Sequence, residues 1–277
     1  AMAAGAVVVL HVAEKPSVAR SITAILTQRA HTAATTRAGY SKYNPLHCFD
    51  AALPANGGVP ARHVVTSVTG HIMDMDFTGA HKSWTAVEPG DLFHAPVETM
   101  VAPDKRELVR QLQQEARQAT WLYLWLDCDR EGENIASEVV DVCRRTNARI
   151  RLARPRFNSL VPADIARAFE RPGDIDVGAA RVVDARRELD LRIGAVFTRF
   201  QTRRFQATVA AAAAAAAAGG GGGEAQDKQV LSYGPCQFPT LGFVVKRFWE
   251  IESFVPEDFW EIRVIADNND SSSTHTS

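Results

Sequence analysis

Apolar residues along this chain fall into runs and stripes whose spacing predicts its elements. The run AVVVLHVA (6–13) is too continuous for a half-exposed strand and predicts a central one. EKPSVARSITAILTQ follows, with Val18, Ile22, Ile25 and Leu26 on one helical face and Pro16 and Ser17 near its start. Glu14 is thereby placed on a strand-to-helix turn. Residues 27–60 are weakly patterned and rich in turn formers, and RHVVTSVTGH (62–71) predicts a strand ending at Gly70. DKRELVRQLQQEARQA (104–119) has the period of an amphipathic helix, and TWLYLWLD (120–127) that of a strand buried on both faces. GENIASEVVDVCRRT (132–146) predicts a helix with Ile135, Val139, Val142 and Cys143 as its apolar stripe, and RIRLARPRF a further strand. Strands alternating with helices imply an α/β layer around a mostly parallel sheet.

After Pro162 the period becomes helical. VPADIARAFERP and GAARVVDARRELDLRIGAVFTRFQTRRF carry apolar residues at helix spacing with arginines on the other faces, which predicts a second, mainly helical domain. Residues 209–223 are almost wholly alanine, then glycine, a low-complexity insertion read most simply as a linker or loop, whose alanines can become helical but whose glycines cannot continue a helix. QVLSYGPCQFPTLGFVVKRFWEI resumes globular composition, and 263–277 is a polar tail expected to lack fixed structure. Apolar surface around Phe243, Phe248, Trp249 and Trp260 is expected to be exposed.

The chain has 277 residues, 46% of them apolar, enough for one large core or two smaller ones. A formal charge of −1 excludes a uniformly basic protein but hides an uneven distribution. Between Arg144 and Arg204 stand fifteen arginines, no lysine and seven carboxylates, an excess of eight positive charges suited to a polyanion. Solvated helix faces give the same composition. The four cysteines, Cys48, Cys128, Cys143 and Cys236, have neither zinc-ligand spacing nor a disulfide framework. The apolar start is too short to span a bilayer and lacks a basic leader, so no signal peptide, transmembrane segment or membrane partner is expected and the location is intracellular.

Chemistry concentrates in LWLDCDREGEN (124–134), where Asp127, Asp129, Glu131 and Glu133 fall within seven residues after an apolar run. Asp127 and Asp129, two apart at a strand end, are expected to lean to one face at the carboxyl edge where open α/β sheets bind ligands. Glu14 closes another strand of the same expected sheet. Carboxylates converging there need a proton or a hard cation such as Mg²⁺, both of which serve phosphoryl transfer. The alternative reading is that Asp129, Glu131 and Glu133 only favour the amino end of the next helix.

Four segments in order, AEKPSVAR, SVTGHIMDMDF, DCDREGEN and SYGPCQFPTLGFVV, make the chain resemble the type IA DNA topoisomerases, most closely their eukaryotic topoisomerase III branch. The resemblance covers roughly residues 7–262. It implies a Rossmann-like TOPRIM domain over 1–157 and, over 158–262, the first part of a helical domain flanking a single-stranded DNA groove, interrupted by the insertion at 209–223. It implies that Glu14 is catalytic, protonating a leaving 3′ oxygen, that Lys15 contacts the scissile phosphate, and that Asp127, Asp129 and Glu131, with Glu14, bind Mg²⁺. Arg186, Arg199, Ser232, Tyr233, Gly234, Pro235, Cys236, Gln237 and Thr240 correspond to DNA-contacting positions. His71 matches a histidine of the family's GH segment, where a structural role is the plainer reading.

The resemblance further implies an ATP-independent enzyme that cleaves one DNA strand through a 5′-phosphotyrosine and passes another, working in recombination and repair in the nucleus or an organelle with a RecQ-type helicase and an OB-fold partner. A YPRTE-like segment bearing the nucleophile is not found in these residues, and Tyr40, Tyr43, Tyr123 and Tyr233 are unsuited to the role, so this length of chain is expected to be inactive alone. Ser159 stands where relatives usually carry glutamate. The alternatives are a non-catalytic TOPRIM module that binds DNA or a partner, and another TOPRIM enzyme such as a primase or nuclease.

Overall fold

The computed structural model describes residues 7–218 and 230–264. They form two units, described separately: residues up to Gly234, and those from Pro235 onward.

In the first unit the predicted first strand, β1 (Val7–Ala13), lies at the centre of a six-stranded sheet. Its neighbours on both sides are parallel, β4 (Val59–Ser67) and β7 (Trp121–Trp125), and β8 (Arg151–Ala153) extends the parallel part beyond β7. The turn-rich stretch concealed β2 (Thr35–Arg37) and β3 (Leu46–Leu53), which complete the order β2-β3-β4-β1-β7-β8 as antiparallel strands. A separate antiparallel pair, β5 (Met73–Phe77) and β6 (Val97–Val101), was not legible in the sequence either.

Helices cover both sheet faces. On one, Leu10, Val12, Leu122 and Leu124 pack with α2 (Arg106–Ala116) and α3 (Arg130–Arg144) in a core that includes Leu108, Leu112, Ile135 and Val139. On the other, Val9, Val65, Tyr123 and Trp125 share a core with Ile22 and Leu26 of α1 (Pro16–Ala30) and Ile165 and Phe169 of α4 (Pro162–Glu170). Each such leucine or isoleucine, fully buried, contributes about 1.5–3 kcal/mol. Two-sided burial is why β1 and β7 read as continuous apolar runs.

A long helix, α5 (Val177–Ala218), follows. It continues through the alanines to Ala218, the part of the insertion that the sequence left open to be helical, because alanine has the highest helix propensity. The glycines of that insertion, 219–223, and nearly all of the polar tail, 265–277, lie outside the described residues. Leu189, Ile193 and Phe197 look like packing positions in the sequence, yet Leu189 and Phe197 are exposed; Val183 and Val196 are the buried ones. Among the described residues of the second unit there is one helix, α6 (Gln237–Glu252), with Phe243, Phe248 and Trp249 exposed, as is Trp260 beyond it.

The polar side chain in the β1 run is part of a hydrogen-bonded relay. The Trp125 indole donates to His11 Nδ1 at 3.0 Å, which leaves His11 Nε2 to donate to His63 Nδ1 at 2.8 Å, and His63 Nε2 to donate to the Ala51 carbonyl at 3.3 Å. Every donor finds an acceptor only while both rings are neutral. Burial holds the His11 pKa well below its ordinary value and lowers that of His63 to about 4. The folded state therefore binds protons less readily than the unfolded chain. Stability is complete above the unfolded value of about 6.5 and is lost as pH falls toward 4, by about 3 kcal/mol from His63 alone. Urea midpoints at pH 7.5 and 5 are expected to differ accordingly; midpoints independent of pH over that interval would refute the relay.

Candidate active site

The parallel ladder sets the site. Ala13 of β1 pairs with Trp125 of β7, so the residues after each strand emerge side by side at the carboxyl edge. The Glu14 N–H donates to the Trp125 carbonyl at 3.2 Å, and Glu14 Oε2 accepts from the Asp127 N–H at 3.0 Å. Lys15 Nζ lies 3.2 Å from Glu14 Oε1 and 3.6 Å from Asp127 Oδ2. The hydrogen bond to Glu14, then the charges of Glu14 and Asp127, raise the Lys15 pKa, so the exposed ammonium stays charged.

Asp127 and Asp129 are not on the strand. Regular pairing stops at Trp125, so side-chain alternation does not carry past it; Asp129 is the N-cap of α3, its Oδ1 accepting from the Gly132 N–H at 2.7 Å. The helix-start reading thus holds for Asp129, while Asp127 faces Lys15. Glu131 turns toward His71 Nε2 at 3.2 Å and Arg186 at 3.4 Å. Among the described residues, no three acidic, histidine or cysteine side chains converge as a ready cation cage. Asp127, Asp129 and Glu131 nevertheless supply hard oxygen donors, each within reach of solvent, so the donor chemistry fits a divalent metal.

Two buried groups support the acidic loop. Arg154, fully buried, donates Nε to Glu133 Oε1 at 3.1 Å and its other nitrogens to the carbonyls of Leu124, Leu126, Asp127 and Pro155 at 2.8–3.1 Å. Glu138, also buried, accepts from the N–H groups of Ile72 and Met73, from Arg187 at 2.8 Å and from His71 at 3.1 Å. The His71 bond to Glu138 is the largest influence raising the His71 pKa; for Glu138 burial opposes charge, but the bonds from His71 and the backbone outweigh it and lower its pKa.

Much of the arginine excess is structural. Arg187 reaches the Met73 carbonyl, Arg192 the carbonyls of Leu92, Phe93 and Ala95, and Arg199 that of Ser83, while Arg203 pairs with Glu88, so α5 is pinned along the 73–95 region. Arg199, expected at DNA, is buried with its guanidinium over Trp84. Arg186 is exposed beside Glu131 and Asp190. Tyr233 packs on Phe197, its N–H donating to Thr198 Oγ1 at 2.8 Å. Ser232 and Gly234 flank it in the first unit; Pro235, Cys236, Gln237 and Thr240 belong to the second. Tyr123 is fully buried, its pKa pushed to about 12, and is no nucleophile.

A mixed, mostly parallel sheet with glutamate after β1 and an aspartate cluster after β7 defines a Toprim architecture, and residues 9–155 match the Toprim domain family. The chain belongs to that family. Residues 174–277 match a second family described as DNA topoisomerase. Among curated proteins the chain is similar to DNA topoisomerase 3-alpha of Arabidopsis thaliana (46% identical over 258 residues, 93% of this chain and 26% of that protein). It is 41% identical over 276 residues to DNA topoisomerase 3 of Dictyostelium discoideum (96% of this chain, 33% of that protein), and 39% identical over 262 residues to human DNA topoisomerase 3-alpha (95% and 24%). The resemblance to topoisomerase III is borne out, and the chain spans 24–33% of these relatives' length. Toprim domains bind divalent metal. Among the described residues no helix is long and apolar enough to cross a membrane.

Proposed function

We propose that this chain is the acidic half of a type IA DNA topoisomerase, which cleaves one DNA strand through a 5′-phosphotyrosine, passes another and reseals the break without ATP. The observation that carries this reading is the Glu14–Lys15–Asp127 cluster at the ends of two adjacent parallel strands. Lys15, charged and half-exposed, meets the scissile phosphate and orients it over the acidic edge. As a tyrosine oxygen from outside this chain releases its proton to solvent and bonds to phosphorus, the bond from phosphorus to the 3′ oxygen breaks, and Glu14 relays a proton from solvent to that oxygen. Resealing reverses the transfer. Asp127, Asp129 and Glu131, with Glu14, would hold Mg²⁺, which when bound offsets phosphate charge.

In this reading residues 1–157 are the TOPRIM domain and 158–262 begin the helical domain; Arg186, Ser232, Tyr233 and Gly234 in the first unit, and separately Pro235, Cys236, Gln237 and Thr240 in the second, are the candidates for DNA contact, while Arg199, buried against Ser83 and Trp84, serves packing instead. The whole protein would act on single-stranded DNA in the nucleus or an organelle, with a RecQ-type helicase and an OB-fold partner.

The test is Mg²⁺-dependent cleavage of a single-stranded oligonucleotide by this chain mixed with a segment supplying the tyrosine. Activity is expected only in the mixture, and Asp127→Asn with Asp129→Asn is expected to lower it by about 10²–10³. Association without cleavage would favour a non-catalytic DNA-binding module instead.

A further inference from the structure

Two concave regions of the first unit share a wall. Phe157 and Asn158 line a cleft of about 550 Å³ that also holds Asp127 and Asp129, and they line a second of about 370 Å³ that holds Arg156, Arg167 and Arg171 against the single acid Asp164. The second region adjoins the acidic site and has the opposite sign.

Its cations are arranged for an external anion. Arg156 is held by Glu133 at 3.0 Å and by the Asp174 carbonyl at 3.2 Å, yet 48% of its side chain is exposed, so it is already oriented toward solvent. Arg167 is 71% exposed and makes a long 3.6 Å contact with Asp164, whose other oxygen accepts from Ser159 Oγ at 2.6 Å. Arg171 closes the same helix four residues on, its N–H bonded to the Arg167 carbonyl. Like charges at that spacing repel. The carboxyl end of α4 accounts for a cation in its last turn, but not for three converging on one concavity whose floor continues into the acidic cleft.

We propose that this arginine-lined cavity is a phosphate subsite for the DNA strand at the acidic cluster, holding a backbone phosphate further along that strand. The assignment rests on the function proposed above. Arg167 and Arg171 close on the phosphate oxygens, Arg156 supplies a fixed guanidinium, and Asn158 donates from the shared wall. The subsite carries no base readout and orients the strand across the acidic edge.

The experiment measures binding of a fluorescent oligothymidylate to the full 277-residue chain in EDTA, by anisotropy across a salt series. In the Arg167→Ala/Arg171→Ala variant the slope of log K against log salt is expected to become shallower by about 1.4, two contacts' worth for a single strand, with at least a fivefold loss of affinity. Arg167→Lys/Arg171→Lys should keep the slope, and Asp164→Asn should tighten binding. An alanine variant that melts like the parent and keeps the parental slope overturns the subsite while leaving the DNA reading intact. If the alanine variant does not fold, unchanged affinity in Asp164→Asn overturns it. A parent chain that does not bind the oligonucleotide at low salt overturns the DNA reading itself.

Discussion

Arg154→Met is expected to lower the unfolding free energy of the first unit by about 3–5 kcal/mol, as loss of one partner of a buried pair does. The methionine fills similar volume, so the loss is electrostatic and not a cavity effect. The parent guanidinium satisfies Glu133 and four carbonyls with no solvent contact. Without it the carbonyls of Leu124, Leu126 and Asp127 lose a buried donor, while Glu133 keeps only Arg156 and the Asp176 N–H among its bonds. Urea unfolding should show a lower midpoint with an unchanged m-value, and adding Glu133→Gln should cost much less than it does in the parent. A change under about 1 kcal/mol would mean that the carbonyls find other donors.

Gly132→Ala is expected to reverse the usual sign of that substitution. In a helix interior alanine is better than glycine by about 1 kcal/mol. Here, however, a Cβ on Gly132 would lie 2.1 Å from the Asp127 carbonyl oxygen and 3.1 Å from its nitrogen. Backbone cannot swing aside as a side chain does. The α3 start must part from the acidic loop, with a cost of about 2–3 kcal/mol. The same displacement breaks the Asp129 cap on the Gly132 N–H and shifts Asp127, so affinity for Mg²⁺, read by calorimetry, is expected to fall at least tenfold. A variant as stable as the parent with unchanged metal affinity would show that the close approach is relaxed at little cost.

These two residues also mark where sequence reading stops. The strands at the centre of the sheet were legible because burial on both faces writes unbroken apolar runs, and α1, α2 and α3 because their stripes keep helical period. β2 and β3 were not, since the edge strand is exposed throughout and its neighbour sits in turn-rich sequence. Glu14, Lys15 and Asp127 do meet, as their places after two strands implied. Asp129 was misplaced because alternation was extended past the last paired residue. Arg154 read as one more cation for a polyanion; nothing in RLARPR distinguishes a buried guanidinium from an exposed one. Gly132 did leave a signal, a glycine inside a helical pattern, which marks a close backbone approach as readily as a weak helix. His11 interrupts an apolar run, and its partners, 52 and 114 residues away, come together only through the sheet.

The pairing of Ala13 with Trp125 makes the sheet a ruler, and this bears on how such a chain can vary over generations. The spacing of Glu14 and Asp127 is measured out by ladder hydrogen bonds from Val9 opposite Trp121 onward. Inserting or deleting one residue between 121 and 125 would invert which faces the later strand side chains occupy and carry the aspartate off its mark. The connection from β3 to β4, a short turn at 54–58, lies off this scale and can lengthen or shorten at small entropic cost. Length changes in related chains should therefore gather in that connection and spare the few residues that the ruler counts.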